Sequence, residues 1–326
     1  MKYSIEVYGL TKEFDSLIAV DHISFKVKSG EIFGLLGPNG AGKTTTIHML
    51  TTLLKPTSGT AKVAGFDIIK ERNEVRQNIG IVFQEPALDN RLTGRENLEF
   101  HAMMYGIEKG ERERRIREVL ELVELADKAD VLVRNYSGGM KRRLEIARGL
   151  INKPKVLFLD EPTLGLDAQT RRHIWEYIEE LRKETKVTIL ITTHYMEEAD
   201  YLCDRVAIID HGKIIALDTP AKLKDLVGGD VISLGVENLS KDFINSLEKA
   251  RFVKDLKVHD NTISVTVMKG ENKIPKIFNL ARRKRVQIKY VSLRKPSLED
   301  VFLHFTGRTM RESEVVRVRR FHRPHA

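Results

Sequence analysis

The residues best suited to chemistry form two short runs. Gly37-Pro38-Asn39-Gly40-Ala41-Gly42-Lys43-Thr44, continued by Thr45, satisfies G-x-x-x-x-G-K-[ST] between an apolar run ending at Leu36 and a helical pattern beginning near Lys43. Glycines suit a phosphate cradle, because side chains would stop backbone N–H groups from closing round phosphate oxygens at the positive end of a helix dipole. Lys43 then brings a point charge to the β- and γ-phosphates, and the Thr44 hydroxyl a ligand for Mg²⁺. The expectation is a nucleotide site.

The second run, Val156-Leu157-Phe158-Leu159-Asp160-Glu161, reads as a buried strand ending in two carboxylates. Strand alternation sends neighbouring side chains to opposite sides, so the two acids divide their roles. Asp160 is expected on the Mg²⁺ side, directly or through water, and Glu161 as the general base or polariser of the attacking water. Alone, such a pair reads as an acidic turn before Pro162; the upstream glycine loop decides between the readings.

These residues need a scaffold that brings strand ends together. Up to about residue 226, short β-branched runs alternate with amphipathic stretches, the pattern of an α/β domain. Strands are expected at 4–8, 32–36, 79–83, 156–159, 188–192 and 206–210, with a helical subdomain over about 87–151 that reads almost wholly helical from Thr93 to Ile151. Gly228-Gly229 suggests a boundary, giving domains at 1–227 and 230–307. The second domain reads strand, helix, strand, strand, helix, strand, the order of a small ferredoxin-like α+β sandwich. Near its end, Ser297 with Asp300 forms a box-like helix start, followed by an apolar face of Leu298, Val301, Phe302 and Phe305. Residues 311–326, with five arginines and two histidines, are expected to form a flexible basic tail.

With these motifs in place, residues 2–226 resemble the ATP-binding cassette (ABC) ATPases. Tyr136-Ser137-Gly138-Gly139-Met140 resembles their signature LSGGQ, Gln84 their Q-loop, Leu164-Gly165-Leu166-Asp167 their D-loop and His194 their switch histidine. The resemblance implies a P-loop ATPase with ATP and Mg²⁺ as cofactors. It makes Glu161, His194, Gln84 and Lys43 catalytic, Thr44, Gln84 and Asp160 the metal side, and Phe14 the aromatic that stacks on adenine. Asp167 and the turn Ser137-Gly138-Gly139 complete the nucleotide contacts. Ser137 also reads physically as a helix cap, presenting glycine N–H groups and a helix dipole to an anion. In the family this second phosphate site serves the opposite cassette, and one set of motifs per chain implies a pair of cassettes, most simply a homodimer. Tyr136 for Leu and Met140 for Gln depart from the family pattern. The segment 295–302 resembles the closing segment of ABC-2 type export ATPases of the daunorubicin-resistance branch, which implies a separate membrane permease and a seat at the cytoplasmic face of the membrane.

Composition narrows the partners. No run of strictly apolar residues exceeds four, so no spanning helix is expected. The single cysteine, Cys203, excludes an internal disulfide. Residues 1–229 carry 34 basic and 35 acidic side chains, and 230–326 carry 21 and 11, so the whole +9 excess comes from the C-terminal part. A near-neutral cassette argues against a nucleic-acid surface, whereas the basic tail suits anionic lipid. The rival reading is a soluble ABC ATPase acting on nucleic acid or ribosomes. Such relatives usually carry coiled-coil insertions, zinc cysteines or paired cassettes, and this sequence shows none of them.

Overall fold

The computed structural model describes residues 2–15, 17–259 and 262–307. The chain divides into two compact units at Thr219 and Pro220. The first contains β1 (Tyr3–Phe14), β2 (Leu17–Lys28), β3 (Ile32–Leu36), α1 (Lys43–Leu50), β4 (Ser58–Val63), β5 (Phe66–Asp67), α2 (Arg72–Gln77) and β6 (Ile79–Val82). It continues through α3 (Gly94–Met104), α4 (Lys109–Leu122), α5 (Gly138–Leu150), β7 (Val156–Asp160), α6 (Ala168–Thr185), β8 (Thr188–Thr193), α7 (Met196–Leu202), β9 (Arg205–Asp210) and β10 (Lys213–Asp218).

Two sheets divide the strands by burial. In β2, buried Ile23, Phe25 and Val27 alternate with exposed His22, Ser24 and Lys26, the period of a half-solvated antiparallel strand. It forms the antiparallel sheet β2-β1-β4-β5, which the sequence reading did not separate from the main sheet. By contrast β3, β7 and β8 are buried at every position, as parallel strands covered on both faces must be. The main sheet has the order β10-β9-β3-β8-β7-β6, parallel throughout except for edge strand β10.

Its register builds the site. Leu36 pairs with Thr193, Asp160 with Thr192, and Val82 with Leu159. The next residues along the chain, Gly37, His194, Glu161 and Phe83, therefore emerge at one edge, beyond the carboxyl ends of the strands, where open α/β sheets bind ligands. The helical subdomain is α3 to α5, and α3 begins in a capping box: Glu96 N–H donates to Thr93 Oγ1 at 3.2 Å and Thr93 N–H to Glu96 Oε2 at 2.7 Å.

The second unit contains α8 (Pro220–Leu226), β11 (Asp230–Val236), α9 (Lys241–Glu248), β12 (Val253–His259), β13 (Thr262–Val267), α10 (Ile274–Arg283), β14 (Ile288–Arg294) and α11 (Leu298–Thr306). Its sheet is antiparallel with the order β12-β13-β11-β14, the ferredoxin-like topology expected from the element order. Phe243, Leu247 and Ile277 pack with Ile232, Leu234 and Val265 to form its core. The division falls at Thr219, earlier than the glycine pair, because α8 packs against α11 within the second unit. The Ser297 box forms, with Asp300 N–H donating to Ser297 Oγ at 3.2 Å and Ser297 N–H to Asp300 Oδ2 at 2.8 Å. Leu298, Val301 and Phe302 are buried, but Phe305 is 43% exposed, so the apolar face ends one turn before the helix does. The basic tail lies outside the described residues, and so does its lipid reading.

Candidate active site

The glycine loop between β3 and α1 has the shape of a cradle. A Cβ on Gly37 would lie 2.2 Å from the Ile209 carbonyl, and one on Gly42, at φ 107°, 2.5 Å from the Ala19 carbonyl. Neither position admits a side chain. Lys43 is buried, its Nζ donating to the carbonyls of Gly37 at 2.8 Å and Pro38 at 3.2 Å and lying 3.2 Å from Glu161 Oε1. Desolvating two ions largely offsets the attraction of such a pair, so stability alone does not explain it. A buried cation at the mouth of a phosphate cradle does.

Thr44 donates to Asp160 Oδ1 at 3.2 Å, and Thr192 Oγ1 donates to the same oxygen. Hydroxyl and carboxylate thus converge from α1 and β7 as the hard-oxygen set that Mg²⁺ takes when phosphates and water complete its shell. Among the described residues no three His, Cys, Asp or Glu side chains gather as a metal cage.

Strand alternation does not separate the two acids as expected. Glu161 has φ 46° and has left the strand, so its side chain returns to Lys43, the neighbour of Asp160's partner Thr44. A left-handed non-glycine residue costs about 1–3 kcal/mol and persists where its surroundings over-determine it. Here the Glu161 N–H donates to both Thr192 O and Thr192 Oγ1 at 3.1 Å. Glu161 Oε2 meets His194 Nδ1 at 3.0 Å. Burial raises the carboxyl's pKa, but the His194 hydrogen bond and the Lys43 charge outweigh it and hold the group below the usual carboxylate range. Lys43, ion-paired to Glu161, and His194, hydrogen-bonded to it, form one connected chain beside the Thr44–Asp160 pair.

The remaining expected residues sit elsewhere. Gln84 is exposed two residues beyond β6, outside the Lys43–Glu161–His194 chain. Phe14, at the end of β1, is 43% exposed with Lys12 Nζ 4.8 Å from its ring centre, so it is not a core residue. Asp167 caps α6 through Thr170, accepting its N–H at 2.9 Å and its hydroxyl at 2.6 Å. Ser137 caps α5 by accepting the Met140 N–H at 3.2 Å, which leaves its own O–H free to donate outward. It lines a cavity of about 490 Å³ with Gly139, Met140, Arg143, Thr170 and Tyr177. Tyr136, the departure from Leu, is a packing residue: buried, it donates to the Lys128 carbonyl at 2.7 Å.

Three buried charges behind the site escaped the sequence reading. Arg142 Nε donates to Pro162 O at 2.5 Å, Nη1 to Phe83 O at 2.7 Å and Nη2 to Asp160 O at 3.2 Å. Burial lowers its pKa to about 10, against the pull of Glu145, Glu198 and Asp160, so it stays cationic at neutral pH. Glu145, whose pKa burial raises, accepts the Ala87 N–H at 2.7 Å and Arg148 Nη2 at 2.9 Å. Glu198 takes Thr163 Oγ1 at 2.7 Å and Trp175 Nε1 at 2.8 Å on one oxygen. The available signal was Arg142 and Glu145 at helical spacing with Gly149, on the face that α5 turns inward.

A glycine loop, a strand-end acid pair and an edge histidine on a parallel sheet define an ATPase cassette. A profile of the ABC transporter family matches residues 20–164, and one described as ATP-binding protein DrrA1-3-like, C-terminal domain, matches residues 219–306. The chain is 41% identical to the linearmycin resistance ATP-binding protein LnrL of Bacillus subtilis (strain 168), over 94% of this chain and 100% of that protein. It is 38% identical to the daunorubicin/doxorubicin resistance ATP-binding protein DrrA of Streptomyces peucetius, over 93% and 92%. Identity to the Nod factor export ATP-binding protein I of Sinorhizobium fredii (strain NBRC 101917 / NGR234) is 40%, over 95% and 88%. Among solved structures, a dimeric post-hydrolysis state of the cassette MJ0796 bound to ADP and Pi superposes with a TM-score of 0.59 at 28% identity, covering 66% of this chain and 98% of that one. The chain belongs to the ABC transporter ATP-binding proteins, and it is an ATP-hydrolysing member. The nucleic-acid or ribosome reading finds no support among these relatives.

Proposed function

We propose that this chain powers an exporter from the cytoplasmic face of the membrane, as one of two cassettes on a separate integral-membrane permease. ATP is held by residues 37–45 and stacked on Phe14, with Thr44, Asp160 and Gln84 on the Mg²⁺ side. Bound Mg²⁺ would neutralise charge on the phosphates. Glu161, kept ionised by His194 and Lys43, takes the proton of the attacking water, and His194 fixes the carboxylate's orientation. The Ser137 hydroxyl and the N–H groups of Gly138 and Gly139 serve the triphosphate of the opposite copy. The observation that carries this reading is the Lys43–Glu161–His194 chain at the mouth of the glycine cradle.

Two further features support it. At the end of α3, Phe100, Met103, Met104 and Tyr105 are 63%, 56%, 71% and 40% exposed, an apolar group suited to a protein partner rather than water. Among the described residues no helix is long and apolar enough to cross a membrane, so passage of cargo falls to the permease. The names of the relatives, resistance and export, support the direction. The second unit regulates or pairs the cassettes.

Glu161→Gln tests the assignment. We expect ATP binding to persist, the closed dimer to accumulate in gel filtration and kcat to fall by about 10²- to 10⁴-fold. Because the folded pKa of Glu161 is depressed, the base is ionised throughout the neutral range and fails only as pH drops through that lowered value. The wild-type acidic limb of kcat/KM should therefore lie below the usual carboxylate range and vanish in the variant's residual activity. Undiminished turnover would remove Glu161 from its role.

A further inference from the structure

We propose that Arg142 is a positioning residue for hydrolysis, holding the catalytic strand end and the Gln84 loop in fixed relation to the signature helix. Its guanidinium touches no reacting atom and acts through backbone. Two of its acceptors, the carbonyls of Asp160 and Pro162, flank Glu161 on either side; the third, that of Phe83, precedes Gln84. All three nitrogens are engaged, one to each carbonyl, as only a planar fork of donors can arrange.

The geometry explains two features that otherwise stand alone. Glu161 lies in the left-handed region at φ 46°, and a backbone held there must be gripped on both sides. Thr192 accepts the Glu161 N–H, while Arg142 fixes the carbonyls before and after it. The Gln84 loop is likewise gripped twice by α5, at Phe83 by Arg142 and at Ala87, whose N–H donates to Glu145 and whose carbonyl accepts from Arg148 at 2.8 Å. Since Ser137 caps this same helix, a displacement of the signature turn is transmitted to Glu161 and Gln84 through one rigid element. The inference rests on Glu161 being the group that activates water.

The test uses the full-length chain and compares Arg142→Lys and Arg142→Gln with Glu161→Gln. Lysine keeps the charge but cannot span three carbonyls; glutamine keeps a donor and removes the buried charge. We expect kcat to fall by about 10- to 100-fold in R142K and further in R142Q, the scale of a misplaced catalytic group, with ATP KM within about twofold of wild type. A wild-type kcat in R142K and R142Q beside an inactive E161Q overturns the clamp. So does a fall in kcat matched by equal losses of ATP affinity and melting temperature, the signature of a purely structural role. If E161Q itself turns over normally, the fault lies in the Glu161 assignment instead.

Discussion

The two units treat charge in opposite ways. In the first, Lys43, Arg142, Glu145, Asp160, Glu161 and Glu198 are buried within or behind one sheet edge. In the second, no polar or charged side chain among the described residues is buried, and the core is aliphatic and aromatic throughout. Each ion removed from water must recover its hydration through partners, and a core built for stability alone avoids that cost. The first unit accepts it repeatedly because its product is chemistry. The second supplies shape and surface.

The contrast can be broken by exchanging effects. Lys43→Ala should give the largest change: it leaves Glu161 buried without its cation and the cradle without its charge. Nucleotide binding in a fluorescent-ATP titration should be lost, while the second unit's melting transition stays in place. Phe243→Ala should do the reverse. Phe243 is fully buried in the second core, and truncation should cost that unit about 3–5 kcal/mol by denaturant melt while ATP binding by the first persists. If nucleotide affinity collapsed with it, the two units would not be independent. Ser297→Ala should have the smallest effect, about 1 kcal/mol from the lost cap of α11, read as a small shift in the same transition.

What could be read from sequence was local. The glycine loop, the buried strand ending at Asp160, the Ser137 cap and the Ser297 box are contiguous, and each formed as its spacing implied. The second unit was also legible, because its helices and strands are short and bounded by turn residues. The antiparallel sheet escaped because β1 pairs with β2 and β4 on opposite edges, and pairing partners are not written in either strand. Arg142 and Glu145 escaped for a related reason. Their backbone partners, carbonyl acceptors for Arg142 and the Ala87 N–H donor for Glu145, lie 18 to 59 residues away, and on sequence alone a charged pair in an Arg-rich helix reads as a solvated face. The return of Glu161 toward Lys43 needed a backbone angle that no residue type announces.

Gly94 carries a last consequence. A Cβ there would sit 2.4 Å from the Tyr136 hydroxyl, whose proton is committed to Lys128. The two positions therefore form a single heritable unit. A lineage can enlarge residue 94 only after giving up the phenol at 136, and even then a Cβ stands 3.3 Å from the Ala129 carbonyl, which must yield slightly, so cousins of this chain should carry a larger residue at 94 only where 136 is no longer tyrosine.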